Sequence, residues 1–302
     1  MQKFSLGQGI NLRRSVMLEV AERLRSQDPL IRSQLNWGEI VPENFMGRGG
    51  DSRRALLEVA QYIPISVHGV CLSLGSVDPL NWDYLSQLKI LIQETKAFCA
   101  TDHLSYSSAQ GVEFHHLLPL PFNEETVQYV VERIKRVQDF LEVPFGIENP
   151  SYYQVMPESE MTEAQFISEV LEQSNCFLLL DVNNVYVNCY NHSAGEDSLS
   201  AAIRYLHELP LERVQEVHVA GHGKIILNDQ AKLLDTHGAP VPSVVQALLR
   251  ELHRMQPVTH LLLEREQNIP PLNDILEEVS GLWKMIWNES QVRSQTSQLL
   301  QV

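Results

Sequence analysis

Six apolar runs in this chain of 302 residues each end on a side chain that can hold a metal ion. They are ISVHGV at His68, FCATDH at His103, FGIENP at Glu148, LLLDVNN at Asp181, VHVAGH at His218 and LLLERE at Glu264. Imidazoles and carboxylates together make a mixed nitrogen and oxygen donor set, which suits iron, manganese or zinc better than calcium or a thiolate-seeking metal. About one residue in six is His, Asp or Glu, so their spacing alone decides little, and any one of these histidines by itself reads as a satisfied core or loop residue. The shared position at the exit of an apolar run is what points to one site.

Two further donors, Asp235 and His237, sit two apart in LLDTHGAP and project the same way if the backbone there is extended; a solvated loop is the competing reading. The amides Asn184 in DVNNVY and Asn149 in IENP flank ligand carboxylates. Asn184 is read as a ligand, and Asn149 as a group that orients a ligand carboxylate. The strand-end donors with Asp235 and His237 are more than one tetrahedral ion, or one octahedral ion with an open position, would use. Two or three ions sharing carboxylates is the simpler account. Glu148 and Asp181 are the natural bridges, and with His218 they are the candidates for catalysis itself. His222 and His192 each read equally as ligand or loop donor, whereas His115 and His116 read as substrate-loop residues. The glycines of Gly7 to Gly9 are too few for a dinucleotide fingerprint. Trp283 and Trp287, four apart on a terminal helix, read as core packing.

These residues need a scaffold that gathers the ends of many strands. Apolar runs predict strands at 4–10, 36–41, 65–70, 98–103, 144–148, 177–182, 214–219 and 259–264, the eight that a closed barrel requires. Stretches of 3.6 period between them predict helices at 12–26, 51–61, 81–95, 123–140, 162–174, 197–208, 241–254 and 271–286. In the fourth helix Val127, Val130, Val131, Ile134, Val137 and Phe140 form one stripe, behind an N-cap at Asn123; Thr162 caps the fifth. The longest irregular stretches, 104–122, 149–161, 183–196 and 220–240, all follow strands. In a parallel β/α barrel that is the face where active sites are built. The expected architecture is one (β/α)8 TIM barrel over residues 1–287, followed by a polar, frayed tail over 288–302.

Composition narrows the function. The net charge is -15, from 23 basic and 38 acidic residues, and no Lys/Arg stripe is present to neutralise phosphates, so a nucleic-acid partner is disfavoured. The start, MQKFSLGQGINLRR, lacks a signal-peptide apolar core, and no run approaches the roughly 20 apolar residues needed to span a bilayer. A cytoplasmic protein with no membrane partner is expected. Cys71, Cys99, Cys176 and Cys189 are scattered without a C-x-x-C pair and read as buried small hydrophobes in a reducing compartment.

The motifs EIVPENFMG, SVHGVCLSLGS, DHLSYS, LLPLPF, IENPS, LLLDVNNVYVN, HVAGH, LDTHGAPV and EREQNIP resemble, in combination and over nearly the whole chain, the multinuclear non-heme iron oxidases. That family was long known only as a domain of unknown function. The resemblance implies a xylose-isomerase-like barrel holding two or three iron ions of mixed valence (Fe2+/Fe3+), with O2 as co-substrate. It implies post-translational modification of a ribosomally made, cysteine-containing precursor peptide, presented by a separate partner protein. The relative that helps make the copper-chelating peptide methanobactin converts cysteine to an oxazolone and thioamide pair. Carried over by position, the family's metal ligands fall on His68, His103, Glu148, Asp181, Asn184, His218, Asp235, His237 and Glu264. The chain departs from the family pattern at Glu266, where an aspartate is usual, and at Phe114 to Leu117, which lie within EFHHLL where an Asn-Asp pair is expected. Two other readings remain beside the oxidase: a redox-neutral divalent-metal hydrolase or isomerase on the same barrel, and a non-catalytic metal-binding protein.

Overall fold

The computed structural model describes residues 5–47, 49–193 and 196–299, with side chains through Asn288. Phe4, the first residue of the first predicted strand, and residues 300–302 of the predicted tail lie outside the described residues. The strands are β1 (Gly7–Asn11), β2 (Trp37–Ile40), β3 (Ile65–Gly69), β4 (Cys99–His103), β5 (Tyr106–Ala109), β6 (Val112–Leu118), β7 (Phe145–Glu148), β8 (Phe177–Asp181), β9 (Val214–Val219), β10 (Gly223–Leu227), β11 (Gln230–Leu234) and β12 (His260–Leu263). The helices are α1 (Arg14–Arg25), α2 (Pro29–Gln34), α3 (Asp51–Val59), α4 (Trp82–Thr95), α5 (Glu124–Leu141), α6 (Glu163–Ser174), α7 (Val182–His192), α8 (Ser198–Glu208), α9 (Ser243–Met255) and α10 (Leu272–Leu299).

Eight strands close a parallel barrel in the order β1-β12-β9-β8-β7-β4-β3-β2, and each coincides with one of the eight predicted strands. The barrel strands are almost wholly buried, as they must be when helices cover one face and the barrel interior the other. The predicted caps form as expected. Asn123 accepts from the Thr126 N–H at the start of α5, and Thr162 with Gln165 closes a capping box at the start of α6.

Four predictions need correction. The stretch 183–196, read as irregular, begins with α7, because Asp181 ends β8 and at once caps a helix by accepting from the Asn184 N–H. The stretches 104–122 and 220–240 carry the hairpins β5/β6 and β10/β11, which project from the carboxyl-end face of the barrel. The short helix α2 was not anticipated; Asp28 caps it and Pro29 opens it. Cys71 is exposed and Cys189 half-buried, whereas Cys99 and Cys176 are buried as expected, and all four are free thiols. The last helix continues past Trp287 to Leu299, into the segment that composition marks as a tail. Trp283 and Trp287 are partly buried against the core with their rings 5.4 Å apart. No helix among the described residues is long and apolar enough to cross a membrane.

Candidate metal centre

In a parallel barrel, neighbouring strands lie about 4.8 Å apart and residues in register point the same way, so register decides which donors meet. His103 on β4 stands beside Glu148 on β7, and Asp181 on β8 beside His218 on β9. His68 on β3 is beside Thr101 on β4, two residues before His103. The donors His103 and Glu148, and Asp181 and His218, thus stand side by side, with His68 one strand away from His103. Gly69, directly after His68, allows the close approach: a Cβ there would fall 2.5 Å from Asp102 Oδ2 and 2.7 Å from the Tyr84 hydroxyl.

Four overlapping donor groups result, one of them, Glu39, His218 and Glu264, reaching below the other three. In the first, Glu148 Oε2 lies 2.9 Å from Nε2 of both His68 and His103. In the second, Glu148, Asp181 and His218 converge. In the third, Asp181 Oδ2 is 3.7 Å from His237 Nε2, and Glu264 Oε2 is 3.1 Å from His237 Nδ1 and 3.2 Å from His218 Nδ1. Glu148 thus belongs to the first and second groups, and Asp181 to the second and third. Every one of these residues is buried.

The donors are short of hydrogen bonds at the atoms that face one another. Glu148 Oε2, Asp181 Oδ2, Asn184 Oδ1, His218 Nδ1 and both ring nitrogens of His237 are buried without a hydrogen bond of good geometry, and all but Asn184 Oδ1 lie 2.6 to 3.7 Å from an opposing acid or imidazole. Buried polar atoms are nearly always well paired, so a cluster of donor atoms crowded toward common points fits cations. The far side of the rings is committed. His103 Nδ1 donates to the Gly69 carbonyl at 3.1 Å, which leaves Nε2 as the lone pair facing Glu148. His68 Nδ1 lies 2.8 Å from Thr101 Oγ1, and His218 Nε2 lies 3.3 Å from Glu39 Oε2. Fixing one ring nitrogen in this way sets the tautomer of the other.

Electrostatics tell the same story. Burial opposes charge on His68, but Glu148 and Glu39 outweigh it and raise the imidazole to about 10. Against the same burial, Asp235 and Glu264 hold His237 well above its ordinary value, while His103 and His68 hold the Glu148 carboxyl below the carboxylate range. Asp181 is driven the other way, up to about 8, by its burial. Cations held here would take over the balancing of the carboxylates, and metal uptake at such an array is coupled to proton release.

Asp235 and His237 reach the site by a route other than the extended backbone expected for them. His237 has φ +45°, a left-handed conformation that costs a non-glycine residue about 1 kcal/mol, and this turn brings its Nε2 to 2.6 Å from Asp235 Oδ1. Asp235 is held from both sides, by the Ser151 hydroxyl at 3.1 Å and the Asn183 amide at 3.0 Å. Asn149 exchanges two hydrogen bonds with the Asp181 backbone, so its amide is spent on positioning; Asn184 keeps Oδ1 free and donates Nδ2 to the Asn149 carbonyl. His222 contacts Asn183 Oδ1 at 2.8 Å and so steadies Asp235 from behind. His192 lies against the Tyr152 carbonyl and ring, away from the three groups. His115 and His116 are exposed on β6. Glu266 turns outward to pair with Arg13.

Sequence reading passed over a deeper layer. Glu39, Ser66, Cys99 and Glu216 are all buried one step below the ligands: Ser66 Oγ contacts Glu39 Oε2 at 3.2 Å and Glu216 Oε1 at 3.5 Å, and Cys99 Sγ lies 3.9 Å from Glu216 Oε2. Burial pushes Glu39 up to about 7. The signal was present, since Ser66 and His68 on β3, Cys99 and Thr101 on β4, and Glu216 and His218 on β9 keep the period of two that faces the barrel interior.

Comparison with known proteins places this geometry. Residues 7–286 match the family model described as RiPP precursor modification enzyme MbnB/TglH/ChrH, where RiPP denotes a ribosomally made, post-translationally modified peptide. A UPF0276 protein of Nitrosospira multiformis is 39% identical over 271 residues, covering 90% of each chain, and one of Shewanella sediminis is 36% identical over 91% of this chain and 92% of its own. Among solved structures, L-ribulose 3-epimerase superposes with a TM-score of 0.60 at 12% identity, covering 96% of this chain and 97% of that one. A xylose isomerase domain-containing protein of Salmonella typhimurium does so with a TM-score of 0.58 at 14% identity, covering 95% and 99%. At such identities these two establish the xylose-isomerase-like TIM barrel and nothing about the reaction.

Proposed function

Since the chain belongs to the MbnB/TglH/ChrH family of RiPP precursor modification enzymes, we propose that it is a multinuclear iron- and O2-dependent oxidase that modifies a precursor peptide at cysteine. The observation that carries this reading is the set of buried donor atoms crowded toward one another in adjacent groups that share Glu148 and Asp181. Carboxylates common to two groups suit ions held a few ångströms apart, and a nitrogen and oxygen set without thiolate suits iron. His68, His103 and Glu148 would hold the first ion; Glu148, Asp181 and His218 the second; Asp181, Asn184, Asp235, His237 and Glu264 the third. Iron held there supplies one-electron redox steps and a Lewis acid that favours the thiolate of a cysteine.

The chain's own part is to fix those donors and to admit the peptide from one side. Gly69, Thr101 and Glu39 fix the rings of His103, His68 and His218, and Asn149 fixes the backbone at Asp181. The least buried of the donors are Asp235, with its side chain 17% exposed, and His103, at 11%. A substrate therefore enters along the rim they share, beneath the two hairpins. Delivery of the peptide by a separate partner protein in the cytoplasm completes the proposal. The test is metal analysis and oxygen uptake on the protein as purified from iron-replete cells. Bound iron of mixed valence, with oxygen consumed only when a cysteine-bearing peptide is added, is the expected result. Full activity with zinc or manganese, or iron that never changes oxidation state with oxygen and peptide, refutes it.

A further inference from the structure

The hairpin β10/β11 rises directly from the metal centre. Gly223 follows His218 by five residues and Leu234 immediately precedes Asp235. Its tip, Asn228 and Asp229, has φ of +50° and +61°, which is the two-residue turn that joins tightly twisted antiparallel strands. Across such a turn the flanking residues, Leu227 and Gln230, exchange hydrogen bonds with each other. The ladder then alternates, so Ile225 and Gly223 also turn inward to β11, while the N–H and C=O groups of Lys224 and Ile226 point out from the free edge of β10.

The other edge of the hairpin shows what such groups require. By the same alternation Leu233 on β11 points outward, and the Asn191 side chain pairs with it as a strand would, accepting its N–H at 3.0 Å and donating to its carbonyl at 2.9 Å. The hairpin β5/β6 is closed in a similar way. Asp78 takes the Gln110 and Gly111 N–H groups, Ser73 takes those of Ser107 and Ser108, and β6 is broken at His115, where φ is +55°. Among the described residues Lys224 and Ile226 have no such partner.

Along this edge the charged Lys224 is followed by three apolar side chains that stand in water. Ile225 is 39% exposed, Ile226 68% and Leu227 56%. Ile226 shares its face with Leu233, which is buried, so the inward face of the hairpin tip overhangs open space. A regular, unpaired strand edge with exposed apolar residues on both faces is a surface that proteins normally protect, and it is the usual template for binding a peptide as an added strand.

Building on the reading of the substrate as a peptide, we propose that β10 binds an extended segment of that peptide by main-chain pairing at Lys224 and Ile226, with the apolar side chains of the segment packed on Ile225 and beneath Ile226. At about 3.4 Å per residue the edge from Leu227 to Gly223 spans roughly 14 Å, and it ends where the chain enters the metal centre. Main-chain pairing tolerates varied sequence, so this edge supplies purchase on the peptide while the metal centre selects the cysteine.

The test is amide hydrogen exchange of the full-length protein as purified, with and without a synthetic peptide of alternating valine and threonine that ends in cysteine. The exchange of Lys224 and Ile226 is expected to slow about tenfold or more at saturation, the effect of one strand hydrogen bond, while Ile225 and Leu227, already paired, change little. Replacing Ile226 with proline removes an outward N–H without touching the β10/β11 ladder. It should weaken binding of a fluorescein-labelled copy of the peptide about tenfold at unchanged metal content, and Ile226→Thr, which keeps the N–H, should weaken it less. Unchanged exchange at Lys224 and Ile226 with the peptide bound, or no binding to the native protein, overturns the strand addition whether or not the variants fold. A protein that binds the peptide on this edge yet holds no redox-active iron overturns the oxidase reading and leaves the edge standing.

Discussion

Replacing Glu148 with glutamine is expected to cost the protein two ions where replacing His103 with alanine costs one. Glu148 Oε2 lies 2.9 Å from two imidazoles of the first donor group, and the same carboxylate completes the second group with Asp181 and His218; His103 serves only the first. Glutamine keeps the volume and removes the charge, so both groups lose their shared anion. Stripping one partner from a buried charged array costs about 3–5 kcal/mol. At 1.36 kcal/mol per decade, each affected ion binds roughly two to four orders of magnitude more weakly. Metal content by plasma mass spectrometry, after equilibration against a chelator chosen to leave the native protein loaded, reads the result directly. By the same reasoning Asp181→Asn loses two ions and His237→Ala one. If Glu148→Gln and His103→Ala retain the same number of ions with native circular dichroism, Glu148 is not shared and the bridged arrangement is wrong.

Other expectations follow from named contacts. Thr101→Val removes the oxygen 2.8 Å from His68 Nδ1; affinity at the first group should fall roughly 10- to 100-fold, as for other partners that orient a metal-bound imidazole, and isothermal titration of the chelated protein would show it. Burial raises Glu163, at the start of α6, to about 8, although Tyr152, Tyr205 and Asn188 beside it oppose the rise. A carboxyl whose folded value lies above its unfolded one stabilises the fold below about pH 4.5 and loses that contribution as pH rises through about 8. Glu163→Gln should therefore gain in melting temperature relative to the native protein between pH 5 and pH 8, with the gain levelling off above; a difference that does not vary with pH refutes it.

The sequence made the barrel legible because its eight strands are short apolar runs closed by a polar residue, and a strand buried on both faces has no other way to look. The candidate ligands were legible for the same reason: His68, His103, Glu148, Asp181 and His218 each stand where such a run leaves the core. What escaped notice breaks that pattern. Helix α7 has no apolar stripe to detect, since Asn183, Asn184, Asn188 and Asn191 are buried alongside its valines and each asparagine is committed to a loop or to the site: Asn188 to Tyr152 and Pro150, Asn191 to Leu233. A helix that braces the loops on the carboxyl-end face needs amides where an outer helix needs leucines. The hairpin β10/β11 had its sign in IILNDQAKLL, an Asn-Asp turn between apolar runs, yet Ile225, Ile226 and Leu227 stand in water while Leu233 is buried, so the run lacks the pattern of a core strand.

Glu39 and Glu216 were missed for a different reason, because neither stands where its strand leaves the core, the place at which the candidate ligands were sought. Their presence changes how the site must work. A metal layer resting on leucine and valine would have to balance its charge from its own ligands alone. Here two more carboxylates, buried to within 2% exposure, lie under His218, one of them 3.3 Å and the other 3.6 Å from its Nε2. In a low-dielectric interior that proximity raises the basicity of the ring and favours the higher charge on whatever ion His218 holds. The far nitrogen of His103 meets a neutral carbonyl, and the carboxylate beside that residue is Asp102. The donor array is thus electrostatically uneven, with two extra carboxylates under His218 in its middle and the more open donors, His103 and Asp235, on either side; the proposed ions of different charge fit such an unevenness.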